Sequence, residues 1–200
     1  WSSDVCSSDL DLNVQVGSGL KKIRKQEMVL SLKKDANGNP FDFSQLYNGL
    51  QLSTVQSNVK LSASKYNQLG NNTTLKLGAQ AAWMYGKQIF LNEMYQIGGI
   101  KTLRGFDEES IFASSFAIGT AEFRYLLDKY SNVFGFLDGA LVQKNLQGIK
   151  QNRNFLGVGL GLNFMTKSGM FSMAYAMGKS DQQDFGFKNS KIYIGFSTLF

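Results

Sequence analysis

Apolar and polar residues alternate along most of the chain from residue 11 onward. In the segment 155–166, Leu156, Val158 and Leu160 occupy every second position, and glycine or asparagine fills the positions between them. Such alternation is typical of a β-strand with one face in an apolar medium and the other in a polar one. The same period recurs in further segments, at 11–24, 50–66, 73–85, 111–127, 133–140, 170–178 and 191–200. The pattern predicts about eight strands.

The connections between these segments alternate between short turns and longer loops. Short turns are predicted at 70–72 and 128–132, whereas 25–47 contains the only proline and reads as a long loop. No stretch approaches the roughly 18 consecutive apolar residues that a membrane helix requires. The predicted fold class is therefore all-β, an antiparallel up-and-down transmembrane β-barrel.

The first ten residues differ from everything that follows. They contain a near-repeat, Ser-Ser-Asp-Val followed by Ser-Ser-Asp-Leu, and no charged segment precedes an apolar one as in a signal peptide. They resemble a translated sequencing adapter. We therefore predict that residues 1–10 are a non-native leader and that residues 11–200 form the barrel fragment.

Composition argues against several classes of function. The net charge of +6 is spread along the chain and does not form the basic, aromatic-rich face of a nucleic-acid-binding domain. Cys6 is the only cysteine, and histidine is absent, so the commonest metal ligands and the commonest general base are missing. We expect no enzyme activity, no cofactor, no metal site and no nucleic-acid partner.

The segment 96–109 interrupts the alternation and carries the candidate chemistry. Its Gly98-Gly99 and Arg104-Gly105 pairs predict sharp backbone turns in a long loop. Glu122 and Asp138 lie on the predicted lumenal faces of the next two strands, and a buried guanidinium is costly unless a carboxylate pairs with it. We predict that Arg104 pairs with these acids inside the barrel; the alternative is a surface arginine. The acids at 107–109 lack metal-ligand spacing and are read as solvated.

Several motifs together resemble the C-terminal barrel half of the BamA/TamA family of outer-membrane insertases, in the form found in Bacteroidota. They are Glu93-Met94-Tyr95-Gln96-Ile97-Gly98-Gly99, Leu103-Arg104-Gly105-Phe106, Glu122-Phe123-Arg124-Tyr125, Gly135-Phe136-Leu137-Asp138-Gly139, Gly157-Val158-Gly159-Leu160 and the terminal Phe200. The family barrel has sixteen strands, so the resemblance implies that this fragment supplies about the last eight.

The resemblance also implies which residues do the work. The lumenal loop anchor would be Gly98, Gly99, Leu103, Arg104, Gly105 and Phe106, and its partners on the inner wall would be Glu122, Phe136 and Asp138. The last strand, 191–200, would serve as an edge for incoming strands and as the protein's own insertion signal, with Tyr193, Gly195, Phe196 and Phe200 as its marked residues.

The implied function is assembly or export of other polypeptides in the bacterial outer membrane. Implied partners are outer-membrane lipid, unfolded polypeptide clients and accessory lipoproteins. Three alternatives stay open: a two-partner-secretion pore, which shares the arginine loop; a passive barrel; and an enzyme barrel of the phospholipase or protease type. The last resembles histidine-dependent hydrolases, and the sequence has no histidine.

Overall fold

The computed structural model describes residues 10–22, 34, 38, 53–146 and 148–198. These residues form strands and short connections, with ten strands in chain order. Their bounds are β1 Leu10–Lys22, β2 Ser53–Gly70, β3 Thr73–Gly86, β4 Tyr95–Ile97, β5 Ile111–Ala113, β6 Ser115–Leu126, β7 Asn132–Leu146, β8 Ile149–Thr166, β9 Gly169–Ser180 and β10 Lys191–Ser197. Two short 3-10 helices lie at Leu91–Glu93 and Phe187–Asn189.

Eight of the strands form one antiparallel sheet in the order β1-β2-β3-β6-β7-β8-β9-β10. Each strand pairs with the strand that precedes or follows it in this sheet, so the up-and-down arrangement is confirmed. The turns at Asn71-Asn72 and 127–131 lie where short turns were predicted. The described strands do not close into a barrel, because β1 and β10 each have one unpaired edge within this sheet.

The prediction of one continuous strand over 111–127 is wrong. The segment forms two strands that meet at Ser114, where the regular pairing is interrupted: its backbone N–H and its hydroxyl both donate to the carbonyl of Gln143. Upstream of Ser114, β5 pairs with β4 in a separate two-stranded sheet. The loop after β3 therefore begins and ends in a small hairpin-like pair, which holds the two ends of its apex together.

The two faces of the large sheet differ in character. One face carries exposed apolar side chains, including Ile194 at 68% and Leu160 at 67% exposure. The others on this face include Val14, Leu61, Leu77, Phe123 and Leu137. The opposite face is polar along β1 to β3 and is covered by the loop along β6 to β9. This distribution reverses that of a soluble β-sheet protein, which buries its apolar face.

Three predictions concern residues outside the described ranges. The long loop at 25–47 lies outside them except for residues 34 and 38, as do residues 1–9 of the predicted leader and Phe200. Leu10, the last residue of that leader, begins β1 and pairs with Lys65. Within the described part of the chain, no helix is long and apolar enough to cross a membrane.

Candidate functional site

The candidate site lies where the loop between β3 and β6 meets the inner face of the sheet. The base of this loop is fixed to β1, because Lys21 Nζ lies 2.6 Å from Glu93 Oε2 and donates at 3.0 Å to the carbonyl of Gln88. Lys21 also lies 4.0 Å from the centre of the Phe90 ring. The apex, residues 98–110, extends from this base over the middle of β6, β7 and β8.

Arg104, at the apex, is held by Asp138 of β7. Its Nε and Nη2 donate to Oδ2 and Oδ1 of Asp138, each at 2.7 Å, which is the two-pronged geometry of a strong arginine–carboxylate pair. The backbone N–H of Arg104 also donates to Oδ2, at 3.2 Å. Asp138 is 0% exposed and Arg104 is 7% exposed. One carboxylate thus fixes both the side chain and the backbone of the arginine.

A second carboxylate and a second arginine complete the group. Arg104 Nη1 donates to Glu122 Oε2 at 2.8 Å, and Arg124 Nε donates to Glu122 Oε1 at 2.6 Å. Arg104, Arg124, Glu122 and Asp138 therefore balance two positive against two negative charges. Balance matters here, because an uncompensated charge away from water costs several kcal/mol.

The guanidinium of Arg104 also stacks on an aromatic ring of the wall. Its central carbon lies 3.5 Å from the centre of the Phe136 ring. A desolvated cation over an aromatic face gains about 2 kcal/mol. Phe136 is two residues from Asp138 on the same strand, so both side chains face the loop. The structure thus brings the predicted inner-wall residues Glu122, Phe136 and Asp138 together around Arg104.

The charges around Arg104 keep it protonated. Burial by itself lowers the pKa of the guanidinium, but the hydrogen bonds and negative charge of Asp138, followed by those of Glu122, raise that pKa above its usual range. At an effective dielectric near 20, one contact pair gains about 4 kcal/mol before desolvation is subtracted. Desolvation offsets much of this gain, so the group fixes position more than it adds stability.

Apolar packing holds the residues on either side of Arg104. Leu103 is 0% exposed, and Phe106 meets Phe155 edge to face with ring centres 5.2 Å apart. Both belong to a cluster with Ile97, Ala113, Ile118, Ala140, Val142 and Phe155. Burying a side chain of this size removes about 1.5–3 kcal/mol of unfavourable contact with water. The apex is thus bound by apolar contacts as well as by charge.

Glycine permits the close approach of loop and wall. Gly105 has φ of 96°, and a Cβ there would lie 2.7 Å from the backbone nitrogen of Gly178. On β8, a Cβ at Gly157 would collide with the backbone carbonyl of Arg104. The glycine on the inner face of β8 thus lets the loop backbone reach the wall. Gly98 and Gly99 also have positive φ, at 119° and 90°, in the turn that opens the apex.

The predicted residues of the last strand divide between the two faces. Phe196 is on the exposed apolar face, whereas Tyr193 points inward and packs against the cluster of Phe134, Phe136, Ala174 and Ala176. Gly195 pairs with Ser172 of β9. Phe200 is outside the described residues.

The acids after Arg104 have separate partners. Asp107 Oδ1 lies 2.7 Å from Lys191 Nζ, and Glu108 Oε2 accepts the N–H of Ile100 at 3.2 Å. Across residues 10–22, 53–146 and 148–198, no group of three or more metal-binding side chains is suited to hold a metal ion.

Sequence reasoning missed two features of the site. Arg124 lies two residues after Glu122, so the alternation indicates that both side chains are on the same face of β6, where they are hydrogen-bonded. The Lys21–Glu93 pair joins residues far apart in sequence, and no local pattern indicates it.

A polar cavity of about 480 Å³ lies between the loop and the wall. Its lining includes Asn13, Ser62, Ser64, Lys76, Gln80, Thr102, Thr120 and Glu122.

The chain matches one protein-family model. The model is described as the Omp85 superfamily domain, and the match covers residues 34–200, which include the loop, the inner-wall acids and the last strand. None of the curated proteins matches the chain.

Proposed function

The chain belongs to the Omp85 superfamily, which inserts or translocates polypeptide clients at the outer membrane, and we propose that it acts as a BamA/TamA-like insertase. In this proposal residues 11–200 form part of the wall of an outer-membrane barrel. The protein assists the assembly of other polypeptides by binding and orienting them, without a chemical reaction and without a cofactor.

The exposed apolar face supports a position in the membrane. Exposed apolar side chains recur at every second position along the strands, including Phe123 and Leu137. In water such a face would drive aggregation, whereas acyl chains solvate it. Trp83 and Tyr85, at one end of β3, are exposed on this side and suit the interface between acyl chains and headgroups.

The single observation that carries the proposal is the anchoring of Arg104 by Asp138 and Glu122. It fixes the apex of a long loop on the lumenal wall, where the loop fills part of the interior on the side of β6 to β9. A loop held there by charge and packing keeps a fixed position inside the proposed barrel.

The last strand is the proposed route for client strands. Within the described sheet, β10 pairs with β9 along one edge, and we propose the other edge as the place where a client strand joins the sheet. An unpaired strand edge binds extended polypeptide by adding it to the sheet. In the proposed mechanism, a client strand forms its first hydrogen bonds at this edge before it enters the membrane.

The cavity beside the loop favours one second candidate, polypeptide translocation through the lumen. Its polar lining lies between the loop and β1 to β3, and its volume is about 480 Å³. A cavity with this polar lining suits an extended, hydrated chain. Release of a secreted partner into the medium, with outer-membrane barrels assembled normally in its absence, would favour translocation over insertion.

The test is a charge exchange in the intact protein, scored by assembly of outer-membrane barrels in cells. Arg104→Glu places a third acid beside Glu122 and Asp138, and we expect loss of client assembly. Asp138→Arg added to it restores the balance of charge, and we expect recovery. Lys101→Glu is the matched control, because Lys101 is exposed in the same loop. Normal assembly by Arg104→Glu would contradict the proposal.

A further inference from the structure

The last strand carries one aromatic side chain on its inner face. The inward positions of β10 are Lys191, Tyr193, Gly195 and Ser197, which alternate with the exposed Ile192, Ile194 and Phe196. The ring of Tyr193 packs against the cluster formed by Phe134, Phe136, Ala174 and Ala176. Apolar packing of Tyr193 therefore joins β10 to the interior of the described structure.

The hydroxyl of Tyr193 joins β10 to the loop apex. The backbone N–H of Gly105 donates to the hydroxyl oxygen at 2.9 Å, and the hydroxyl donates to the backbone carbonyl of Phe106 at 2.6 Å. One hydroxyl thus satisfies a donor and an acceptor on consecutive residues, directly after Arg104. Two residues away on β10, Lys191 Nζ lies 2.7 Å from Asp107 Oδ1.

The loop is a fixed point for this contact. Arg104, the residue before Gly105, is held by three hydrogen bonds from its backbone and side chain to Asp138. The apex also touches β9, because a Cβ at Gly178 would lie 2.5 Å from the Gly105 carbonyl oxygen. Tyr193 therefore binds β10 to a segment that is itself bound to β7.

The strand that Tyr193 holds is short. It has seven residues, against 12 to 18 in β2, β3 and β6 to β9. Gly195 adds no side-chain packing to it. A strand this short depends strongly on the contacts of its remaining side chains.

We propose that Tyr193 is a positioning residue: through its hydroxyl, the loop anchored by Arg104 holds the terminal strand β10 at the edge of the sheet. The proposal rests on the proposed function in one respect, since it gives the anchored loop a task at the edge that receives client strands. Release of the loop would therefore also loosen the edge. We call the contacts of Tyr193 with Gly105 and Phe106, together with the partly exposed Lys191–Asp107 pair, the brace.

Hydrogen exchange of β10 in the intact membrane-embedded protein tests the brace. Tyr193→Phe keeps the ring and removes only the hydroxyl, and we expect the β10 amides bonded to β9 to exchange about tenfold faster. Tyr175→Phe on β9 is the matched control: Tyr175 is on the opposite face, and its exchange pattern should equal that of the wild type. Equal β10 exchange in wild type and Tyr193→Phe would overturn the proposal.

A charge exchange at the second contact separates positioning from folding. Lys191→Asp alone or Asp107→Lys alone should raise β10 exchange by up to about fivefold, as expected for a partly exposed ion pair. The double variant should return it toward the wild-type rate, which a general loss of folding would not do. Faster exchange in the double variant than in both single variants would overturn the brace.

The exchange readout is independent of clients, so the two proposals fail separately. Unchanged β10 exchange in Tyr193→Phe, together with loss of client assembly in Arg104→Glu, would refute the brace and leave the insertase. Faster β10 exchange in Tyr193→Phe, together with normal assembly in Arg104→Glu, would support the brace and refute the insertase.

Discussion

Replacing Asp138 by asparagine should release the loop from the inner wall. The side chain keeps its shape, but the four-residue group of Arg104, Arg124, Glu122 and Asp138 changes from neutral to a net charge of about +1. The charge is lost where Asp138 is 0% exposed, so water does not compensate for it. The new amide also brings N–H donors toward the guanidinium, where only acceptors are useful.

The expected size of the effect follows from burial. Removing one partner of a buried ion pair costs about 3–5 kcal/mol. We expect the lower end, about 3 kcal/mol, because Glu122 still pairs with Arg104. This change lowers the ratio of docked to undocked loop by roughly 100-fold.

Amide exchange in the loop apex measures this ratio. The N–H of Gly99 donates to the carbonyl of Leu103 at 3.0 Å, and both residues lie in the apex that Arg104 anchors. Exchange at Gly99 should therefore accelerate by a similar factor in Asp138→Asn. Asp184→Asn is the control, because Asp184 is exposed and lies 3.5 Å from Lys179; its effect on apex exchange should be negligible.

A double variant tests whether charge balance sets the size of this effect. Arg104→Gln combined with Asp138→Asn removes one charge of each sign and leaves the group neutral. The free-energy cost of the double variant should therefore be smaller than the summed costs of the two single variants, by a coupling energy of about 2 kcal/mol. Strict additivity, within about 0.5 kcal/mol, would refute the idea that charge balance holds the loop.

Two further predictions concern packing and pH. Gly157→Ala should lower the free energy of unfolding by about 1–3 kcal/mol, because its Cβ would strike the carbonyl of Arg104; denaturant titration checks this against Gly139→Ala, where no atom lies within 4 Å and the change should be small. The N–H of Tyr130 and then the hydroxyl of Ser131 hydrogen-bond the Asp128 carboxylate and lower its pKa. The stabilisation that this carboxylate gives to the 127–131 turn should therefore be complete above the ordinary aspartate pKa and disappear as the pH falls through the lowered pKa of Asp128. NMR titration of the Tyr130 amide checks this, and a midpoint above the ordinary aspartate pKa would contradict it.

The strand pattern was predictable because a single rule governs it. Residues at alternate positions of a strand lie on opposite faces of the sheet, and these faces differ in polarity, so a period of two appears in the sequences of β8 and β9. The break at Ser114 was not predictable, since it depends on the carbonyl of Gln143, which lies on another strand. Strand boundaries fixed by such distant hydrogen bonds leave no local signal.

The charged part of the site was predictable for a related reason. Glu122 and Asp138 are polar residues on faces that alternation assigned to the lumen, and a buried Arg104 requires acidic partners. The order and spacing of the motifs supplied the rest, through resemblance. The hydrogen bonds of Tyr193 were not predictable from the sequence. Its position on the inner face follows from the alternation, but its hydrogen bonds to Gly105 and Phe106 depend on the path of a loop 87 or more residues away.

We propose that the loop anchored by Arg104 serves the insertion of polypeptides into a membrane. The most direct test is the rate at which a purified, unfolded outer-membrane barrel folds into liposomes that contain the intact protein. We predict that the wild type accelerates folding, that Arg104→Glu does not, and that Arg104→Glu with Asp138→Arg recovers the acceleration. Equal folding rates with wild type and Arg104→Glu would contradict the claim.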